Sequence, residues 1–433
     1  MNSKNTLALL DTEEIRKLFA DLYGEQEDII NKNIDRYKTV LENYINKFND
    51  GDIELFSSPG RTEIGGNHTD HNYGKVLTAS INLDCVCVAG KTNNNIINIY
   101  SVPYNETISV DVEEIEKIKG ENGSIALIQG IIAGFKRFGF KVGGFNAYVT
   151  SNVISAAGVS SSASFEMLVC SIINTFFNNG EIDKVTYARI GQFAENFYWN
   201  KQSGLLDQMA CAVGGMIAID FKDTKKPVFK KVDFSSFNEK YSIMIVNTGK
   251  NHADLSEEYS SIPFEMKSVA EHFGEEVCRN ISLPQILNNL AELRDVVGDR
   301  AILRAMHYLE ENERVDGQVK ALDEGNFEVF LELINQSGNS SWKWLQNCYS
   351  VSNQREQGIP IALALTEMFI KRNGRGACRV HGGGFAGVIM ALIPRELTNE
   401  YNSYIEKCLG EDTVFEMIIR KYGAVHINGL LEK

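Results

Sequence analysis

Basic residues and prolines are both scarce in this chain of 433 residues. Lys and Arg number 43 against 57 Asp and Glu, which gives a formal net charge of −14. Nucleic-acid binding usually needs a basic field that releases counterions from phosphates, so we expect no nucleic-acid partner. A small ligand is favoured, and any phosphate must be held locally by backbone amides, a metal ion or single basic side chains. The 7 prolines indicate no extended linker.

Long apolar runs and paired cysteines are missing as well. No stretch approaches bilayer length, and the short apolar run at the start turns acidic at once, so we expect neither a membrane segment nor a signal peptide. The eight cysteines are scattered without C-x-x-C spacing. They predict reduced core thiols and therefore a cytoplasmic protein.

The apolar residues that are present predict an α+β protein. Their number and the chain length favour two domains, and the pattern breaks around Lys225-Lys226-Pro227, so we divide the chain into 1–235 and 236–433. A helical spacing of three and four marks the region up to Phe48. The strongest helix pattern follows Ser160-Ser161-Ser162, and strand-like runs occur at 81–89, 145–149, 242–246 and 388–393.

The serine-rich segment 156–164 carries the clearest chemical signal. Small residues at a helix start let backbone amides converge on an anion, and the helix dipole favours negative charge there. A triphosphate would fit, and a serine hydroxyl is a suitable hard ligand for magnesium. A serine-rich helix cap is the alternative for the same string.

The segment 59–72 predicts a polar binding loop rich in glycine and histidine. Its carboxylates, amides and imidazoles suit vicinal sugar hydroxyls, because the charged oxygens accept and the neutral groups donate. A solvated polar turn is the alternative. A metal site on its histidines would need a further ligand, and the other histidines are scattered singly.

The segment 381–387 matches G-x-G-x-x-G literally, which raises the possibility of a dinucleotide-binding oxidoreductase. That fingerprint needs the glycines to open a helix, whereas the apolar run at 388–393 predicts a strand. Two interpretations stay open for these glycines. They form either a turn that approaches a ligand closely or a tight hairpin turn.

Taken together, the three segments resemble the three motifs of the GHMP small-molecule kinase family, and most closely its galactokinases. The first motif, P-G-R through H-T-D, is matched by Pro59-Gly60-Arg61 and His68-Thr69-Asp70. The second and third, G-L-S-S-S-A-S and G-G-G-F-G-G, are matched at 158–164 and 382–387. Further similar stretches lie at 204–208, 256–259 and 304–315.

The resemblance implies a two-domain GHMP kinase fold with the active site in the cleft between domains, using ATP and Mg²⁺ to phosphorylate the anomeric hydroxyl of a sugar. It implies that Asp207 lies beside that hydroxyl and Arg61 opposite the γ-phosphate, with Ser162 and Glu195 on magnesium. We expect a monomer. The implied sugar contacts are Asn67, His68, Asp70, Gly204 and Tyr259. The implied nucleotide contacts are Gly158, Val159, Ser160, Ser161, Ser162, Ala163, Gly383 and Gly384.

Some positions depart from the family pattern. Asn67 replaces a glutamate that in the family helps to bind the sugar 6-hydroxyl, and Gly65 and the segment after Ser337 also differ. Galactose is the default acceptor on this resemblance. An amino sugar or a pentose is an alternative, and so is a non-catalytic protein that only senses sugar and ATP.

Overall fold

The computed structural model describes residues 1–116, 123–154, 158–200, 203–249 and 255–431. Its helices are α1 Ser3–Leu10, α2 Glu13–Tyr23, α3 Glu27–Phe48, α4 Ser124–Arg137, α5 Ser161–Phe177, α6 Lys184–Phe197, α7 Leu206–Val213, α8 Ser235–Asn238, α9 Ser256–His272, α10 Leu283–Asn288, α11 Leu290–Val296, α12 Asp299–Asp323, α13 Phe327–Ser340, α14 Gly358–Asn373, α15 Thr398–Leu409 and α16 Ile427–Leu431. Its strands are β1 Glu54–Gly65, β2 Lys75–Lys91, β3 Ile96–Ser101, β4 Glu106–Asp111, β5 Phe145–Ser151, β6 Met216–Asp220, β7 Val228–Val232, β8 Tyr241–Asn247, β9 Ala377–His381, β10 Val388–Pro394, β11 Val414–Met417 and β12 Val425–His426. No described helix has the length and apolar character to cross a bilayer.

The strands form two sheets, one mixed and one antiparallel. The larger has the order β12-β1-β2-β5-β3-β4, with β6 paired to β2 and β7 paired to β6. Among its pairs in the described chain, only β3 and β5 run parallel. The smaller is antiparallel with the order β11-β8-β10-β9. The predicted strands at 81–89, 145–149, 242–246 and 388–393 are all confirmed.

Strand β2 is apolar on both faces because both are covered. Val86 and Val88 pack in one cluster with the amino-terminal helices α1–α3. Cys85 and Cys87 point the opposite way, into the main core with α5. Successive side chains of a strand alternate between faces, so covering both faces requires the near-continuous apolar run of the sequence.

The start of the first motif differs from its prediction. The sequence pattern indicated a polar loop from Pro59 onward, but β1 continues to Gly65 and is buried along most of its length. Its pairing with β2 shifts register between Pro59 and Arg61, which bends the strand without ending it. Local polarity was misleading because the polar side chains here are paired with distant parts of the chain.

The end of the chain returns to the first sheet. Strand β11 belongs to the smaller sheet, but β12 pairs with β1 through Phe56–His426 and Ser57–Val425. The proposed division at residue 235 remains a prediction, and the segment 236–433 includes β12, which pairs in the first sheet.

Candidate active site

The serine-rich segment turns sharply before helix α5. Gly158 and Ser160 both have left-handed backbones, with φ of 64° and 61°. Ser160 occupies the helix N-cap, but its side chain makes no capping hydrogen bond, so the helix-cap alternative lacks its expected contact. The amide-lined helix start is thus not covered by that hydroxyl. Ala156 and Ala157 lie outside the described residues.

Ser162 faces a buried carboxylate on helix α6. Its Oγ donates to Glu195 Oε1 at 2.9 Å, and Glu195 is fully buried. The Nε2 of Gln208 donates both to Glu195 at 3.0 Å and to the buried Glu166 at 3.1 Å. A hydroxyl and a carboxylate supply hard oxygen atoms of the kind that magnesium prefers as ligands. Within the described ranges, no group of three His, Cys, Asp or Glu side chains could hold a metal ion by itself.

Arg61 links the first and second motifs to Asp207. Its Nε and Nη2 lie 2.9 and 2.7 Å from Asp207 Oδ1, and its Nη1 donates to the carbonyl of Gly158. Its backbone N–H donates to the carbonyl of Val159 at 3.0 Å. Burial acts to lower the pKa of Arg61, but Asp207 and Glu63 outweigh it and raise that pKa. The guanidinium therefore stays charged.

His68 carries a hydrogen-bond acceptor without a protein partner. Its Nε2 lies 2.9 Å from the carbonyl of Gly383, which can only accept, so Nε2 bears the proton and Nδ1 bears a lone pair. Nδ1 is buried and has no hydrogen-bond partner in the described chain. Burial, aided by His71, lowers the pKa of His68 to about 3, so the ring is neutral.

The other predicted sugar contacts gather around His68. The Tyr259 ring lies 5.1 Å from the His68 ring, and a Cβ on Gly383 would lie 2.8 Å from Tyr259. A Cβ on Gly204 would lie 1.8 Å from Asp70 Oδ2, so only glycine fits beside that carboxylate. Burial, followed by the charges of Asp70 and Asp207, raises the pKa of Tyr259. The charges of Asp70 and Asp207 therefore both act on the Tyr259 hydroxyl.

Both polar atoms of the Asn67 side-chain amide form hydrogen bonds with other protein groups. Its Nδ2 donates to Glu63 Oε1 at 3.0 Å and to the carbonyl of Gly382 at 2.8 Å. Its Oδ1 accepts from Ser341 Oγ at 3.2 Å and Asn347 Nδ2 at 2.9 Å. The predicted sugar contact through this fully buried side chain therefore has no free group to make it, and a positioning role fits the geometry.

Two buried carboxylates that the motif analysis missed hold this segment. Arg379 donates to Glu63 Oε1 at 2.6 Å, while Glu311 accepts from the backbone N–H of Gly66 at 3.1 Å. Glu311 also accepts from Ser337 Oγ at 2.6 Å. In the sequence, Glu311 was indicated only by the family-like stretch at 304–315, which gave no role for this residue.

The third motif forms a hairpin turn, and its glycines lie close to neighbouring segments of the chain. It connects the antiparallel strands β9 and β10, so the strand predicted after its glycines is confirmed. A Cβ on Gly384 would lie 2.1 Å from the carbonyl of Asn347, and one on Gly382 would lie 3.6 Å from the carbonyl of Gly158. Only glycine at 384 permits the approach of Asn347, and Gly382, with φ of 67°, lies beside the serine-rich segment. A helix-opening dinucleotide motif is excluded.

Comparisons with known proteins agree with this arrangement. Residues 42–91 match the galactokinase galactose-binding signature, and residues 126–215 match the GHMP kinases N terminal domain. A galactokinase of Clostridium perfringens is 30% identical over 369 residues, covering 84% of this chain and 91% of its own. This chain belongs to the galactokinase family.

Other members and structures extend the same likeness. A galactokinase of Clostridium tetani is 29% identical over 87% of this chain and 94% of its own. The crystal structure of Lactococcus lactis galactokinase complexed with galactose superposes with a TM-score of 0.78 at 27% identity, covering 90% of this chain and all of its own. The mevalonate kinase of Methanococcus jannaschii, at 18% identity and a TM-score of 0.58, shares the fold over 85% of this chain and 99% of its own. The fold is the two-domain α+β fold of the GHMP kinases.

Proposed function

We propose that the chain is a galactokinase that moves the γ-phosphoryl group of ATP onto the anomeric hydroxyl of galactose, giving ADP and galactose 1-phosphate. The observation that carries the proposal is the ion pair of Arg61 and Asp207, held against the Gly158 turn. It brings a fixed positive charge and a carboxylate to the junction of the serine-rich segment and the sugar motif.

The serine-rich segment is proposed to bind the phosphates of ATP. Its left-handed turn at Gly158 and the start of the long helix α5 supply amides and a favourable dipole. The nucleotide contacts proposed here are Gly158, Val159, Ser160, Ser161, Ser162, Ala163, Gly383 and Gly384. Ser162 and Glu195 would hold Mg²⁺, which supplies charge neutralisation for the phosphates when bound.

The sugar is proposed to bind beside His68, Asp70 and Tyr259. The unpartnered lone pair on His68 Nδ1 matches the hydroxyl of a neutral ligand, which can donate to it. The Asp70 carboxylate, with Gly204 against it, can accept from further hydroxyls. We assign Asn67 to holding this loop instead of contacting sugar.

Phosphoryl transfer mainly requires in-line positioning and stabilisation of spread negative charge. Arg61 stays protonated and can stabilise that charge. Asp207 has a partly exposed carboxylate, with 26% of its side chain accessible, so it can reach the anomeric hydroxyl and accept its proton as the oxygen attacks.

We further infer a cytoplasmic monomer whose partners are sugar and ATP, with no nucleic acid or membrane. All eight cysteines are free thiols, and seven of them are buried. The net charge of −14 supports the absence of a polyanionic partner.

An ADP-release assay across hexoses, pentoses and N-acetylhexosamines tests the function. Galactose is expected to be the best acceptor. A clearly better amino sugar or pentose would reassign the substrate, and no turnover with any sugar would favour a non-catalytic sensor.

A further inference from the structure

His381 ends strand β9 and has only 1% of its surface exposed. Its Nε2 lies 3.0 Å from the backbone nitrogen of Glu63 and 3.0 Å from Thr62 Oγ1. A backbone N–H can only donate, so Nε2 is the acceptor of that bond. The proton of the neutral ring therefore sits on Nδ1.

The opposite ring nitrogen faces the serine-rich segment. His381 Nδ1 lies 3.5 Å from the position a Cβ would take on Gly158. It is buried, and no hydrogen-bond partner for it exists among the described residues. An unsatisfied buried donor is costly, so such a group in a native protein calls for a partner.

The surroundings keep the His381 ring neutral. Burial, together with the positive charges of Arg61 and Arg379, lowers the pKa of His381 well below its ordinary value, while Asp207 opposes the shift. Arg61 is assigned above to the charge of the transferred phosphoryl group, and Asp207 to the attacking hydroxyl. The two unpartnered histidine atoms of the site are thus of opposite type, an acceptor on His68 and a donor on His381.

We propose that His381 Nδ1–H donates a hydrogen bond to the terminal phosphate of ATP bound at the Gly158 turn. This assignment rests on the proposed function and adds a further nucleotide-contacting residue from the third motif. The bond orients the γ-phosphoryl group next to Arg61, while Nε2 holds the β1 backbone at Glu63.

Two substitutions separate the two ring nitrogens. The amide nitrogen of Asn can take the place of Nδ1, whereas the amide oxygen of Gln can take the place of Nε2. His381→Gln therefore keeps the acceptor for Glu63 and loses the donor toward Gly158. His381→Asn keeps that donor and loses the acceptor. His272→Gln, on α9 and outside the site, is the matched control.

Binding of AMP-PNP and of ADP, each with magnesium, is measured by isothermal titration calorimetry. We expect His381→Gln to weaken AMP-PNP binding at least tenfold, with ADP binding and the KM for galactose within twofold of wild type. His381→Asn should bind AMP-PNP more tightly than His381→Gln, although its thermal midpoint falls further. Wild-type AMP-PNP affinity in His381→Gln, or equal losses for ADP and AMP-PNP, would overturn the assignment.

Nuclear magnetic resonance of the unmodified protein gives a readout independent of the variants. In protein with ¹⁵N-labelled histidine, the His381 Nδ1–H signal should move downfield on adding AMP-PNP and stay in place on adding ADP. No movement with AMP-PNP contradicts the proposal. Turnover of galactose by the wild-type protein is measured separately. Absent turnover would contradict the kinase assignment, whereas an unmoved His381 signal in an active protein would contradict only the His381 contact.

Discussion

Replacing Glu311 with glutamine should both weaken the fold and loosen the sugar motif. This fully buried carboxylate on α12 accepts from the backbone of Gly66, from Ser337 and, at 2.7 Å, from Arg314 Nε. Burial alone raises its pKa, but Arg314 and His307 outweigh burial and lower the pKa from 4.5 to about 2. The ionised form is therefore strongly preferred in the folded protein.

The size of this pKa shift determines the expected loss of stability. At about 1.4 kcal/mol per pKa unit, a fall from 4.5 to about 2 corresponds to about 3 kcal/mol of stability. Because the folded pKa is depressed, this contribution is fully present above pH 4.5 and is lost as the pH falls toward 2. Glu311→Gln should lower the free energy of unfolding by about 3 kcal/mol at pH 7, and the difference from wild type should shrink below pH 4.5.

Urea denaturation at pH 7 and at lower pH measures this difference. Glu310→Gln is the control, because Glu310 is 41% exposed and lies 3.9 Å from Arg314, a geometry that contributes less than about 0.5 kcal/mol. The KM for galactose should rise in Glu311→Gln only. Equal stability of the two variants at pH 7 would refute the reasoning.

Three further predictions concern other parts of the molecule. Asp84→Asn should cost about 3–5 kcal/mol in urea denaturation, because its buried carboxylate pairs with Arg36 at 2.7 Å and Arg420 at 3.0 Å; a loss below about 1 kcal/mol would contradict this. Gly204→Ala should raise the KM for galactose more than that for ATP in steady-state kinetics, since its Cβ would lie 1.8 Å from an Asp70 oxygen; the reverse order would count against the sugar site. A thiol reagent should modify only Cys408 in the native protein and all eight cysteines after unfolding, and a second fast native thiol would disagree with the burial of the others.

The pattern of apolar residues was sufficient to predict the helices and strands that fill the core. The run at 388–393 predicted a strand and lies in β10, and the broad apolar face after Ser162 predicted the helix α5. Burial of apolar side chains dominates the stability of such elements, so their local sequence carries the information.

Polar segments were harder to predict because their partners lie far away in the chain. β1 resembled an exposed loop because Glu63 pairs with Arg379, and Gly66 just after the strand donates to Glu311; both partners lie more than 240 positions later. Asn67 matched a ligand-binding position, yet its amide is used by contacts that no local pattern reports. His381 stood at the edge of a recognised glycine motif, and only the geometry revealed which of its nitrogens bears the proton.

The most direct test of the central claim is detection of galactose 1-phosphate by ³¹P nuclear magnetic resonance after incubating the protein with ATP, Mg²⁺ and galactose. The kinase assignment predicts steady formation of this product by wild type, and a rate lower by about 10²–10⁴-fold in Asp207→Asn, where the proton acceptor is lost. Absence of galactose 1-phosphate with the wild-type protein, or an unchanged rate in Asp207→Asn, would contradict the account.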